Sequence, residues 1–374
     1  MLGILFLLSL VSITDGSLNS AAHFPANLNI PKSHIPYLFM SKPFIDKCET
    51  VKACKTKYMN GIQRCWGYEK GCVFKNSFSS ATIRCDNVSE KERPGKIKTF
   101  WAEGDFAKLK SVVSSIVPLC TSRNQDESFL ECSEHLRFCR ARNIFFHFKH
   151  LNAKTSKRYR NDVIHDGNVG GRCEKFDQDL LSRMADEQSY LQSWGHELKY
   201  FQSYKNFKVD HKHCDVIFDR PTIIMKLDAS VSMYHHFCDF INLYASQHVN
   251  GSFDMDLDIV WWDTFAGGFV DPLFGSTWRA FTNRLPYELI HFDGKKVCFR
   301  NAVLPLLARQ RMGLYYNMPL EEGCSGSGLF DAFSKHLLHR LGIKQDTPQR
   351  NKVRITFLSR STQFRRIVNE NEVF

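Results

Sequence analysis

His235 and Asp239 stand four residues apart within the stretch KLDASVSMYHHFCDFINLY. On a helix that spacing sets an imidazole and a carboxylate on one face, where the acid can orient the ring for proton transfer. The opposite face would carry Phe237, Phe240, Ile241 and Tyr244, a stripe suited to burial. The same spacing also suits a core-facing histidine satisfied by a nearby acid. The pair therefore reads either as a base with its orienter or as a buried structural couple.

A second acidic cluster follows. Asp254, Asp256 and Asp258 alternate, so on a strand they line one face. One or two such carboxylates can hold a divalent cation against phosphates. Acidic strand edges are also ordinary solvated surface, and that is the reading preferred here.

These residues need a frame. Residues 216–218, 222–227 and 257–262 are short apolar or alternating runs that predict strands, with a helix over residues 233–249 between them. Residues 329–341 predict a helix stopped by Gly342. A buried strand is expected at residues 353–358 and a helix at 362–372. Strands alternating with helices predict an α/β layer with a parallel sheet. Residues 180–201 carry apolar positions at helical steps and predict one amphipathic helix, while residues 89–98 read as an exposed connector.

The chain has 374 residues, 43% hydrophobic and 24% charged, a composition of globular rather than disordered sequence. The net charge of +11 is spread among acids with no dominant basic run, so a solvated surface is expected and no nucleic-acid partner. Residues 2–13 are apolar, about the length of a signal-peptide core and too short to span a bilayer, and no other stretch predicts a membrane span. The 13 cysteines form no C-x-x-C pair and eight of them fall within residues 48–139, which predicts a disulfide framework in an oxidising compartment. An odd count leaves a thiol over, and Cys238, placed by the helix among aromatics, is the expected free one. Asn87 and Asn250 head N-x-S sequons, as a secreted glycoprotein would have.

KLDASVSMYHHFCDFINLYASQHVN, VCFRNAV, MGLYYNMPLEEGCSGSGLFDAF and KVRITFLSRSTQFRRIVNENE occur in that order, preceded by HFPANLNIPKSHIPYLF and YEKGC. Together they resemble the EGF-domain-specific O-linked N-acetylglucosamine transferases of glycosyltransferase family 61, from about His23 to the last residue. The resemblance implies transfer of N-acetylglucosamine from UDP-GlcNAc to Ser or Thr of folded EGF repeats in the endoplasmic reticulum lumen. A non-catalytic lumenal protein that binds EGF modules, or an adhesive ectodomain, is the alternative. No certain cofactor is implied beyond the donor; a divalent cation is an open expectation. The implied fold is α/β: the N-terminal Rossmann-like half of a two-domain, GT-B-like glycosyltransferase with a disulfide-rich N-terminal extension. The chain then divides into a signal peptide (1–16), a Cys-rich region (17–150), an acceptor-side domain (151–345) and the start of a donor-binding domain (346–374).

Within that resemblance His235 and Asp239 are the expected base or base-orienter, and Arg360 and Arg365 the contacts to the donor diphosphate. Arginine forks beyond a strand end suit phosphate. The family's Asp-Tyr-Asp element would follow Ala280-Phe281-Thr282, but Asn283-Arg284-Leu285-Pro286-Tyr287-Glu288 stands there, and Ser230 and Ser232 replace the family's Gly and Asn. The family continues beyond Phe374 to a retention tail, so residues 17–374 are expected to bind donor weakly and not to turn over.

Overall fold

The computed structural model describes residues 50–54, 65–151, 163–185, 191–229, 231–263, 272–309 and 321–343, with Asn369 and Glu372. The signal peptide, Ser230, Arg360, Arg365 and the elements expected at 353–358 and 362–372 lie outside the described residues, Asn369 and Glu372 apart. The chain divides into Met1–Leu341 and Gly342–Phe374. In the second unit Asn369 and Glu372 share a 3.0 Å hydrogen bond.

The first unit is built on a ten-stranded sheet. Its strands are β1 (Val117–Thr121), β2 (Phe129–Cys132), β3 (Cys139–His147), β4 (Val169–Gly171) and β5 (Lys175–Phe176), then β6 (Phe201–Ser203), β7 (Val216–Lys226), β8 (Asp258–Asp263), β9 (Tyr287–Glu288) and β10 (Lys296–Leu304). The order is β9-β8-β7-β10-β3-β2-β1-β5, with β4 between β3 and β6. The sheet is mixed, not parallel throughout. Strands β9, β8, β7 and β10 run parallel, whereas β3 is antiparallel to β10 and to β2. The antiparallel part arises because residues 117–147 make a meander of short connections, which cannot close a parallel pair. One edge of β3 serves two neighbours, β2 up to Arg142 and β4 from Ile144. The switch falls at Asn143, whose φ of +51° turns the strand there.

Helix α1 (Arg93–Gly104) occupies what reads as a connector, because Pro94 at its first turn starts a helix rather than breaking one. The single helix expected over residues 180–201 is not formed. Gln178–Met184 (α2) and Gly195–Leu198 (α3) are separate, and Phe201 opens β6. Leu181, Met184, Trp194, Leu198 and Phe201 join one apolar core from these separate short pieces, so helical spacing without a continuous helix misled the pattern.

Helix α4 (Met233–Asn250) crosses between β7 and β8, as the sequence predicts, and ends at Gly251 with φ +67°. The Gly251 and Ser252 N–H groups close its last turn on the His248 and Gln247 carbonyls. Helix α5 (Gly328–Arg340) also forms where expected and stops before Gly342. Alternation along β7 sends Ile224 to one apolar core and Ile223, Met225 and Leu227 to the other. The second core is the one α4 and α5 cover, with Phe240, Ile241, Leu243, Tyr244, Leu329 and Phe333. Beyond its first turn Asp239, Asn242, Ser246, Gln247 and His248 of α4 are all buried, so the helix is sunk in the molecule rather than laid on it.

Among the described residues five disulfides are formed: Cys65–Cys72, Cys85–Cys324, Cys120–Cys173, Cys132–Cys139 and Cys214–Cys298. Cys238 is the free thiol among the described residues and is buried. Cys85–Cys324 links the Cys-rich region to the loop before α5. Beside it, buried Asp105 accepts from the Gly328 and Leu329 N–H groups at 2.6 and 2.9 Å, capping α5 from a distant segment.

Candidate functional site

The carboxyl ends of the parallel strands carry the chemistry. β7 ends at Lys226 and delivers Asp228 two residues later, just before α4 begins. In open α/β sheets this is where ligands bind. The first turn of α4 presents His235, whose Nδ1 lies 2.7 Å from Asp228 Oδ2. Arg309, beyond the end of β10, sets its Nε 2.5 Å from Asp228 Oδ1. The Asp228 side chain is 1% exposed, while those of His235 and Arg309 are 28% and 40% exposed. A buried carboxylate thus holds two half-exposed cationic or ionisable groups at the surface beyond the strand ends.

His235 and Asp239 do share a helix face, but the carboxylate on the His235 ring is Asp228. Asp239 is fully buried and turns inward. Its two oxygens accept from the Asp228 backbone N–H at 3.2 and 3.1 Å. Burial, reinforced by the nearby Asp228 charge, holds the Asp239 carboxyl well above the usual carboxylate range. His236 Nδ1 is 3.6 Å from Asp239, and His236 Nε2 accepts the Trp278 indole N–H at 2.8 Å. Burial, with Asp239 and Asp228 nearby, pushes the Cys238 thiol up to about 11, so it stays a thiol at neutral pH.

A second buried couple sits on the same strand end. Lys226 Nζ meets Glu197 Oε2 at 2.6 Å and the Ser193 carbonyl at 3.1 Å, over the Trp194 ring at 4.5 Å. Both side chains are almost fully buried. The pair ties the α3 segment to β7 two residues before Asp228.

Asp228 and Arg309 are the residues that sequence reasoning missed. Asp228 lay inside the quoted block, and the available signal was its place at a strand end ahead of a helix N-terminus. Arg309 carried no local signal, because only the sheet order brings the end of β10 beside that of β7.

The alternating acids do not fit a cation. Arg284 and Arg220 set their Nε atoms 3.2 and 3.5 Å from Asp256 Oδ1, and Arg284 lies 3.9 Å from Asp258. Guanidinium charges already occupy those carboxylates. Asp254 and Asp256 are exposed and Asp258 is buried, so the face is only partly the solvated edge expected. Glu288, in the edge strand β9, is half-buried. Asn87 is exposed, and Asn250 is the last, half-buried residue of α4. Among the described residues no helix is long and apolar enough to cross a membrane.

No family model matches the chain. Curated relatives do. The chain is 42% identical over 354 residues to the EGF domain-specific O-linked N-acetylglucosamine transferase of Xenopus laevis, covering 92% of this chain and 66% of that protein. The protein of the same name from Mus musculus is 38% identical over 368 residues, covering 97% of this chain and 69% of that one. That of Drosophila melanogaster is 41% identical over 315 residues, covering 83% and 60%. The chain thus spans about two thirds of the length of these relatives.

Proposed function

The chain belongs to the EGF domain-specific O-linked N-acetylglucosamine transferase family, and on that premise we propose that it transfers N-acetylglucosamine from UDP-GlcNAc to Ser or Thr hydroxyls of EGF repeats. The observation that carries the reading is the Asp228–His235 pair at the ends of the parallel strands. With Nδ1 donating to Asp228, the His235 ring carries its lone pair on Nε2. That nitrogen takes the acceptor hydroxyl proton as the oxygen attacks the anomeric carbon, and Asp228 stabilises the imidazolium formed. Arg309 shares Asp228, its Nε set against Oδ1 while His235 takes Oδ2. Arg360 and Arg365 are proposed as contacts to the departing diphosphate, in the second half of a two-domain, GT-B-like arrangement. No step is routed through a metal at the alternating acids, because arginines hold Asp256 and Asp258.

Five disulfides support an oxidising compartment. We place the protein in the endoplasmic reticulum lumen, with glycans on Asn87 and Asn250. A mobility shift on glycosidase treatment, lost in turn with Asn87→Gln and Asn250→Gln, checks both sites.

The reading is tested by radiolabel transfer from UDP-GlcNAc to a folded EGF repeat. The assay uses this chain alone and the same residues joined to the remaining third of a relative. Label on the folded repeat, absent from a reduced and unfolded one, supports the transferase. Tight binding of the repeat with no transfer by either form would favour the EGF-binding reading instead.

A further inference from the structure

We propose that Trp278, His236 and Asp239 form a buried strap that positions the Asp228–His235 pair, and that Asp239 acts by holding the Asp228 backbone amide rather than by exchanging a proton with substrate.

The Trp278 indole carries only an N–H, so the His236 Nε2 facing it at 2.8 Å must be the acceptor. His236 is therefore neutral and bears its proton on Nδ1. That proton faces Asp239, 3.6 Å away. The ring cannot swing, because Phe240 and Phe274 lie at centroid distances of 4.6 and 5.4 Å. Asp239 in turn spends both oxygens on the Asp228 N–H. The order of contacts is Trp278, His236, Asp239, the Asp228 backbone, the Asp228 carboxylate, and the His235 ring. His236, Asp239 and Trp278 are all buried, at 0%, 0% and 2% exposure, so none of the three can reach an acceptor hydroxyl. Only His235 and Arg309 reach the surface. Asp239's raised proton affinity agrees: a neutral carboxyl still offers a carbonyl oxygen to an amide.

The strap explains why an acid is useful at this depth. The chain between Lys226 and Met233 leaves the sheet and must turn sharply into α4. An unheld Asp228 amide would let the carboxylate drift from His235, and small misplacements cost rate steeply. Any catalytic consequence rests on the transferase reading above; the hold on the Asp228 amide does not.

Asp239→Asn keeps a carbonyl oxygen for the Asp228 N–H, whereas Asp239→Leu keeps the branched shape, at somewhat larger volume, and removes the acceptor. Hydrogen–deuterium exchange is read on the peptide covering residues 226–233, in the 374-residue chain. Exchange should rise about tenfold in Asp239→Leu and stay near wild type in Asp239→Asn. Trp278→Phe removes the indole N–H, along with part of the ring's volume, and should give a smaller rise at the same peptide. In the transfer assay Asp239→Leu should lose about 10–100-fold in kcat with KM for the EGF repeat little changed, and Asp239→Asn should recover most of it. Exchange unchanged in both Asp239→Leu and Trp278→Phe overturns the strap. Equal loss of turnover in Asn and Leu variants, without a change in exchange, overturns it in favour of a direct proton role. If no form transfers sugar, the exchange pattern alone decides the strap, and it is the transferase reading that fails.

Discussion

The two ends of the parallel strands are built from opposite materials. At the amino end, Cys214 and Cys298 bond the entry to β7 to the start of β10. Phe145, Phe207 and Val209 pack around that disulfide in a small apolar cluster. At the carboxyl end the same strands hold Lys226, Glu197, Asp228 and Asp239, all buried and all ionisable, beside a thiol left unpaired. One end is fixed by a covalent bond and apolar contact. The other is fixed by polar partners that must each be satisfied, because an unpaired buried charge is costly. The stapled end can carry the strain of keeping the strands in register, which leaves the polar end to be specified by chemistry.

The comparison breaks if the two ends respond alike. Replacing Cys214 and Cys298 by Ser opens a link of sequence separation 84, and loop-closure entropy predicts a loss of about 4 kcal/mol in stability. Denaturant unfolding measures it, and the folded fraction should keep its turnover. At the other end Lys226→Met leaves Glu197 buried without its cation, a cost of about 3–4 kcal/mol. Adding Glu197→Leu should recover most of that stability, whereas turnover should stay low because the neighbouring Asp228 turn has lost its anchor. A double variant with full activity would show that the pair is structural only.

A smaller effect sharpens the polar side. Burial lowers the His248 pKa to about 3, and its Nδ1 lies 3.0 Å from the Tyr68 hydroxyl. The folded state keeps this ring neutral while the unfolded chain protonates it near 6.5, so the unfolded state binds more protons as pH falls. Stability from this site is complete above pH 6.5 and is lost progressively below it, by about 2 kcal/mol at pH 5. His248→Gln should flatten that part of the stability–pH curve. An unchanged slope would place the acid sensitivity elsewhere.

Legibility in the sequence followed the range of the forces involved. Helices α4 and α5, with their glycine stops, were readable because caps and periodicity are local. Cys238 as the unpaired thiol was readable because its helix neighbours are aromatic. The mixed sheet was not, since the antiparallel meander over residues 117–147 has strand patterns that do not declare direction. The helix expected over residues 180–201 failed because an apolar face was supplied by separate short pieces. The site was half legible. His235 stood out by type, but its partner Asp228 lies seven residues away and meets it only because a strand end and a helix start converge. Arg309 depends wholly on β10 lying beside β7, which no local pattern encodes. The alternating acids were tempting because the arginines that hold them, Arg220 and Arg284, lie elsewhere in the chain.

The central claim is that His235, oriented by Asp228, is the base of a glycosyl transfer. It is tested most directly by the turnover of His235→Ala, in the joined form used for the transfer assay, with UDP-GlcNAc and a folded EGF repeat. Proton-transfer groups contribute about 10²–10⁴-fold, so kcat should fall by that factor while the melting temperature and affinity for the repeat hold. A His235→Ala protein that transfers sugar within about threefold of wild type would contradict the account.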